Sequence, residues 1–158
     1  MRKLLYGVLI LIAGAIGDPA PVVPKLLIEE YRNDPRFAAL TTFFQKRGCP
    51  VEHLSHVFLR AADVYKLDWR LLPSISFVES TGGKAARYNN IFGWDGGNAK
   101  FVTPSAAIHT VGFKLATSAR YKDKELDEIL ATYNPYEGYG EKVKSVMQRI
   151  APSESIAP

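Results

Sequence analysis

The stretch Leu71-Leu72-Pro73-Ser74-Ile75-Ser76-Phe77-Val78-Glu79-Ser80 decides how this chain is read. Between Arg70 and Glu79 it carries no charged side chain, and Leu71, Leu72, Ile75 and Val78 recur at helical spacing. A helix this apolar is one that its neighbours bury. The spacing predicts a central helix over residues 69–79, with Asp68 as its N-cap and a slight kink at Pro73 in its second turn. Glu79 then closes a buried helix. A carboxylate there faces the negative end of the helix dipole, and partial burial also disfavours its charged form. Both effects raise its pKa, the direction a general acid needs near neutrality. The alternative is a surface glutamate paired with Arg87 or Lys84.

On the N-terminal side, Phe37, Leu40, Phe43 and Phe44 trace a helical face over residues 36–46, which Gly48 and Pro50 end. Leu54, Val57, Phe58, Ala61, Ala62 and Tyr65 trace another over residues 53–66. On the C-terminal side, Gly82, Gly83, Gly93, Gly96 and Gly97 alternate with Asn89, Asn90 and Asn98. That density predicts turns, with a small hairpin around residues 95–98. Thr103-Pro104 is an N-cap followed by a proline at the first helical position. It starts a helix to about residue 119 with Ile108, Val111 and Leu115 inward. Further helices follow over Leu126–Tyr133 and residues 141–150. The expected fold is mainly α, with a small irregular or hairpin lobe inserted after the central helix.

Arg2 and Lys3, then an uncharged and mostly apolar run to Gly17, have the pattern of a secretory signal peptide. The run is short for a spanning helix; an uncleaved N-terminal anchor is the rival reading, and the only membrane contact expected. Three prolines in residues 18–24 predict an extended linker over 18–25. Residues 26–151 form the helical domain, and 152–158 a disordered tail. An exported protein in the periplasm, envelope or extracellular space is implied.

The 158 residues suffice for one domain with its own core. A net charge of +4 is either ordinary for a soluble domain or suits attraction to acidic surface polymers. There is neither a basic stripe nor a stacking motif, so nucleic acid is not an expected partner. Cys49 is the only cysteine and reads as a small semi-buried hydrophobe rather than a nucleophile activated by His53 or His56. His53 and His56 lack a third ligand; with His109 they read as solvated or structural, and no metal is expected.

Three motifs together carry a resemblance. The apolar helix ending in Glu79-Ser80 resembles the one that ends in Glu-Ser in lytic transglycosylases and bacterial glucosaminidases. Asn89-Asn90-Ile91-Phe92-Gly93-Trp94 resembles the Asn-x-Phe-Gly motif of the glucosaminidase branch. Ala131-Thr132-Tyr133-Asn134-Pro135 resembles the Ala-Tyr-Asn motif that lines the transglycosylase cleft. Over roughly residues 53–150 the chain is thus similar to the lysozyme-like superfamily. It departs at Thr81, where many relatives have glycine, and in lacking the Gly-Leu-Met-Gln run of the transglycosylases.

The resemblance implies cleavage of β-1,4 linkages in peptidoglycan or a related N-acetylated glycan, without a cofactor. Glu79 would be the acid/base. Tyr133 would lie near its carboxyl group, bonded to it or to substrate. Asn90, Gly93 and Trp94 would line the sugar cleft, with Ser80 orienting backbone and Asn134 reaching a sugar. Trp94 offers a flat apolar face beside an N–H donor. Two-carboxylate glycosidases need a second acid. Asp95 is the one candidate near in sequence, although Asp95-Gly96-Gly97 is equally a turn. Without it, Glu79 acts alone, either closing an anhydro ring on the sugar or with help from the substrate's N-acetyl group. Two rivals stand beside this reading: a non-catalytic peptidoglycan-binding module, and a structural helical domain of the envelope.

Overall fold

The computed structural model describes residues 30–152. The segments read as signal peptide and linker, and the tail beyond Pro152, lie outside the described residues. Six helices follow one another: α1 (Pro35–Gln45), α2 (Ser55–Tyr65), α3 (Leu71–Ser80), α4 (Pro104–Thr117), α5 (Leu126–Tyr133) and α6 (Tyr139–Ile150). Among the described residues there is no strand. The mainly α expectation holds.

Local chemistry shifts two of the expected starts. A 3-10 turn, Pro50–Leu54, precedes α2, so that helix begins at Ser55, whose hydroxyl donates back to the Glu52 carbonyl at 2.7 Å. Asp68 does not cap α3. Its carboxylate accepts from the Arg70 N–H at 2.9 Å and from the Arg70 guanidinium, which pins the turn before the helix. Because α3 starts at Leu71, Pro73 falls in its first turn. An N–H there has no intrahelical acceptor, so the proline removes nothing and the expected kink has no cause.

Helix α3 is the centre of the domain: Leu71 to Ser76 are all buried. It packs chiefly on α6, while α2 packs chiefly on α4. Phe44, Phe58, Leu72, Ile75, Ile108 and Leu130 fill the space between them, each fully buried. At its C-terminus α3 stops abruptly. Thr81 is left-handed, with φ +54°, and its N–H still donates to the Phe77 carbonyl at 2.9 Å. A β-branched residue is strained there by about 1–2 kcal/mol, part of which glycine would return as unfolded-chain entropy. Thr81→Gly is therefore expected to stabilise the fold by about 0.5–1 kcal/mol, read as a higher urea midpoint at unchanged slope.

The segment between α3 and α4 is an irregular lobe. The hairpin expected around residues 95–98 is absent. The Gly97 N–H donates to the Gly93 carbonyl at 2.9 Å and the Asn98 N–H to the Asp95 carbonyl at 3.0 Å, so the chain coils through successive turns. A hairpin needs two extended flanks, and neither is free to pair. On one side Ile91 and Phe92 plunge into the core, at 1% and 0% exposure. On the other, Phe101 bonds back to the Tyr88 carbonyl, and the Asn89 amide donates to the Phe101 and Val102 carbonyls. Both ends of the lobe are thereby tied together.

Helix α4 begins as its sequence requires. The Thr103 hydroxyl accepts from the Ala106 N–H at 3.1 Å, with Pro104 at the first position. Thr103→Ala is expected to cost about 1 kcal/mol, measurable by chemical denaturation. Ile108, Val111 and Leu115 face inward as expected.

Candidate active site

Glu79 sits on the last turn of α3, half-buried, where the helix meets the lobe. Burial raises its carboxyl pKa above the usual range. Neither basic residue that might have neutralised it does so: Lys84 donates to the Arg47 carbonyl at 2.7 Å, and the Arg87 guanidinium stands 5.8 Å from the Tyr88 ring centre.

The lobe comes up against this carboxyl group through Gly93. Its φ is +59°, and a Cβ placed there would stand 2.5 Å from Glu79 Oε2. Glycine is thus required twice, for the backbone conformation and for the room the carboxylate occupies.

Two other residues of the resembling motifs hold the lobe in place rather than facing a cavity. Asn90 is buried; its amide donates to the Trp94 carbonyl at 3.0 Å and its oxygen accepts from the Trp94 N–H at 2.9 Å. Both ends of that side chain are used, so the expected sugar contact is replaced by a clamp on the turn that presents Gly93. Ser80 is buried as well. Its hydroxyl lies 2.8 Å from the Ile91 carbonyl and 3.1 Å from the Ser76 carbonyl, and accepts from the Gly83 N–H at 3.0 Å. It fastens the end of α3 to the lobe and stays out of reach of a ligand.

Trp94 lines an open cleft of about 520 Å³, together with Gly93, Asp95, Ala99, Arg120, Tyr121 and Tyr133. Its ring meets Tyr133 edge-on at 5.6 Å and lies 6.1 Å from Tyr121. These aromatic surfaces and the Arg120 guanidinium suit a ligand with both C–H faces and polar edges. Asp95 is exposed, at the rim, with φ +56°.

Tyr133 departs from expectation in its bond. Its hydroxyl donates to the Phe92 carbonyl at 2.6 Å, not to Glu79. Burial first, and then the nearby Glu79 charge, push its pKa well up, so it stays a donor. The residue that adjoins Glu79 is Tyr139, whose ring stacks on Tyr133 at 6.1 Å with an interplanar angle of 5°. Its hydroxyl lies against the Glu79 carboxyl group, near enough to hold that group's pKa down against burial. The contact falls short of a well-formed hydrogen bond, so Tyr139 Oη stands buried without a satisfied partner.

A second, smaller hollow of about 260 Å³ is lined by Glu79 itself, with Val78, Asn134, Tyr136, Glu137, Tyr139 and Lys142. Asn134 contributes to its wall, while its side-chain oxygen accepts from the Tyr136 N–H at 3.1 Å. Glu79 therefore lines the smaller hollow beside Tyr139, and its carboxyl oxygen packs on Gly93, a residue of the larger cleft.

The sequence reading missed Tyr121 and Arg120, and took Tyr139 only as aromatic surface near the turn after Tyr133. Tyr121 and Arg120 lie in the turns after α4, where no periodicity marks them. For Tyr139 a signal existed: Tyr139, Val143, Val146 and Ile150 follow helical spacing and are all buried, so the stripe of α6 extends back past Glu141. Cys49 is buried beneath the lobe, its Cβ 2.8 Å from where a Cβ on Gly82 would lie, and burial pushes its thiol pKa up. That leaves it a packing residue.

Comparison with family models, with curated proteins and with solved structures returns no match for this chain.

Proposed function

We propose that this chain cleaves the β-1,4 linkages of peptidoglycan glycan strands, with Glu79 as general acid and then base, in a lysozyme-like helical domain. The observation that carries the reading is a half-buried carboxyl group of raised pKa, with no basic partner among the described residues, that lines one hollow and packs against Gly93 of the aromatic cleft. A proton donor in one hollow, packed against a residue of the aromatic cleft, suits a polymer laid across both. The order of the three motifs around Glu79, Gly93 and Tyr133 supports the same reading.

The surroundings of Glu79 favour a one-carboxylate route. Gly93 and Tyr139 lie directly against its carboxyl group; of the other carboxyl groups, Asp95 stands exposed on the wall of the cleft and Glu137 exposed on the wall of the hollow. In that route Glu79 protonates the leaving oxygen, then accepts the proton of a sugar hydroxyl as that hydroxyl closes an anhydro ring. Export through the N-terminal segment would bring the protein to its substrate.

The test is incubation of the purified protein with peptidoglycan, followed by mass analysis of what is released. Products with anhydro ends support the one-carboxylate lytic route. Products with reducing ends would mean hydrolysis. Co-sedimentation without release would make the domain a binding module, and neither binding nor release would overturn the reading altogether.

A further inference from the structure

Tyr139 is 5% exposed, and its hydroxyl is one of four side-chain polar atoms that are buried without a hydrogen-bond partner among the described residues. A buried hydroxyl left unsatisfied carries a desolvation cost that natural folds rarely retain without a use. The other three belong to Thr41, His56 and Ser74, none of which lines the cleft or the hollow beside Glu79. Tyr139 is different in place. It leaves the start of α6, packs its ring on Tyr133, and shares the wall of the smaller hollow with Glu79.

We propose that Tyr139 is a positioning residue for Glu79: its hydroxyl donates to the Glu79 carboxylate and fixes the carboxyl group against Gly93 in the wall of the smaller hollow. Gly93 supplies the opposite wall, since the carboxyl oxygen Oε2 occupies the space that a Cβ there would fill. A carboxyl group held from both sides presents its acid in one direction, which is what proton transfer to a bound oxygen requires. The groups facing the Tyr139 hydroxyl are Glu79 from α3, Tyr133 from α5 and Tyr121 from the turn after α4. Both other tyrosines keep their protons, because burial raises each of them. Glu79 is thus the carboxyl group that faces this hydroxyl, with a pKa that burial raises. A neutral donor aimed at it favours the ionised form and offsets part of the effect of burial. Tyr139 therefore sets where, on the pH scale, Glu79 ceases to be an acid.

This inference uses the role proposed for Glu79, and its test separates the two. In the full chain, Tyr139→Phe keeps the ring and its stacking and removes the hydroxyl. The Glu79 carboxyl resonance is followed by carbon NMR across pH in both proteins, alongside the pH profile of peptidoglycan cleavage. The Glu79 titration is expected to move to higher pH in Tyr139→Phe. The alkaline limb of the rate is expected to move with it, and kcat to fall about ten- to hundredfold with KM unchanged. An unmoved Glu79 titration overturns the positioning role even if activity falls. A shifted titration in a protein that cleaves nothing upholds the positioning and removes the enzymatic reading.

Discussion

Replacing Glu79 with glutamine is expected to lower the release of soluble fragments from peptidoglycan by about 10²- to 10⁴-fold, while the protein stays folded. Glutamine keeps the shape of the side chain but has no proton to give to a glycosidic oxygen. The accompanying change in stability has a definite sign. Burial raises the folded-state pKa of Glu79 above its unfolded value, so between those two values the folded protein binds more protons than the unfolded one. Stability from this group is then full below the unfolded value, near 4.3, and is lost as pH rises through the folded value. Glutamine does not ionise and escapes that loss. Glu79→Gln should therefore melt higher than the parent at pH 7 and 8, and the difference should close as pH falls toward 4. The activity of the parent should fall as pH rises through the same raised pKa, because the acid form is what reacts. Wild-type release by Glu79→Gln would end the assignment of this residue.

Gly93→Ala carries the second large effect, and a matched control isolates it. Gly93 and Gly48 have nearly the same backbone conformation, φ +59° and +58°. An alanine at either position should cost about 1–2 kcal/mol of left-handed strain, seen as a lower urea midpoint. Beyond that they differ. At Gly48 the nearest atom to an added Cβ is the flexible end of Lys84, at 3.7 Å. At Gly93 it is Glu79 Oε2 at 2.5 Å, with Glu79 Cδ at 3.3 Å. Either the carboxyl group swings away or the lobe lifts, and Asn90 and Ser80 hold the lobe down. Gly93→Ala should thus lose roughly 10²-fold in rate, the scale expected for misplacing a reacting group by about an ångström. Gly48→Ala should keep its rate. Equal activities in the two variants would show that Gly93 does not support Glu79.

These variants draw on features that differ in how far the sequence reveals them. The helices α1, α4 and α5 were legible because their signals are local. Pro35 and the phenylalanine stripe mark α1, Thr103-Pro104 marks α4, and the apolar spacing of Leu126, Ile129 and Leu130 marks α5. Asp68 misled because an aspartate before an apolar run suits either an N-cap or a turn, and its neighbour Arg70 decided between them. The lobe misled in the opposite way. Asp95-Gly96-Gly97 has the residues of a hairpin turn, but pairing depends on flanks that Ile91, Phe92 and Phe101 had already committed elsewhere.

The sequence by itself determined that the domain is mainly helical, that the helix of Leu71 and Ile75 is buried, and that Glu79 closes it. Those properties follow from spacing along one segment and need no partner to be known. Only the tertiary structure decided what surrounds the carboxyl group. It set Asn90 and Ser80 to fastening the lobe, turned the Tyr133 hydroxyl toward Phe92, and brought Tyr139 from α6 against Glu79. Tyr139 lies sixty positions after Glu79 in the chain. Their meeting depends on the packing of α3 on α6, which is a property of the whole core and not of either segment.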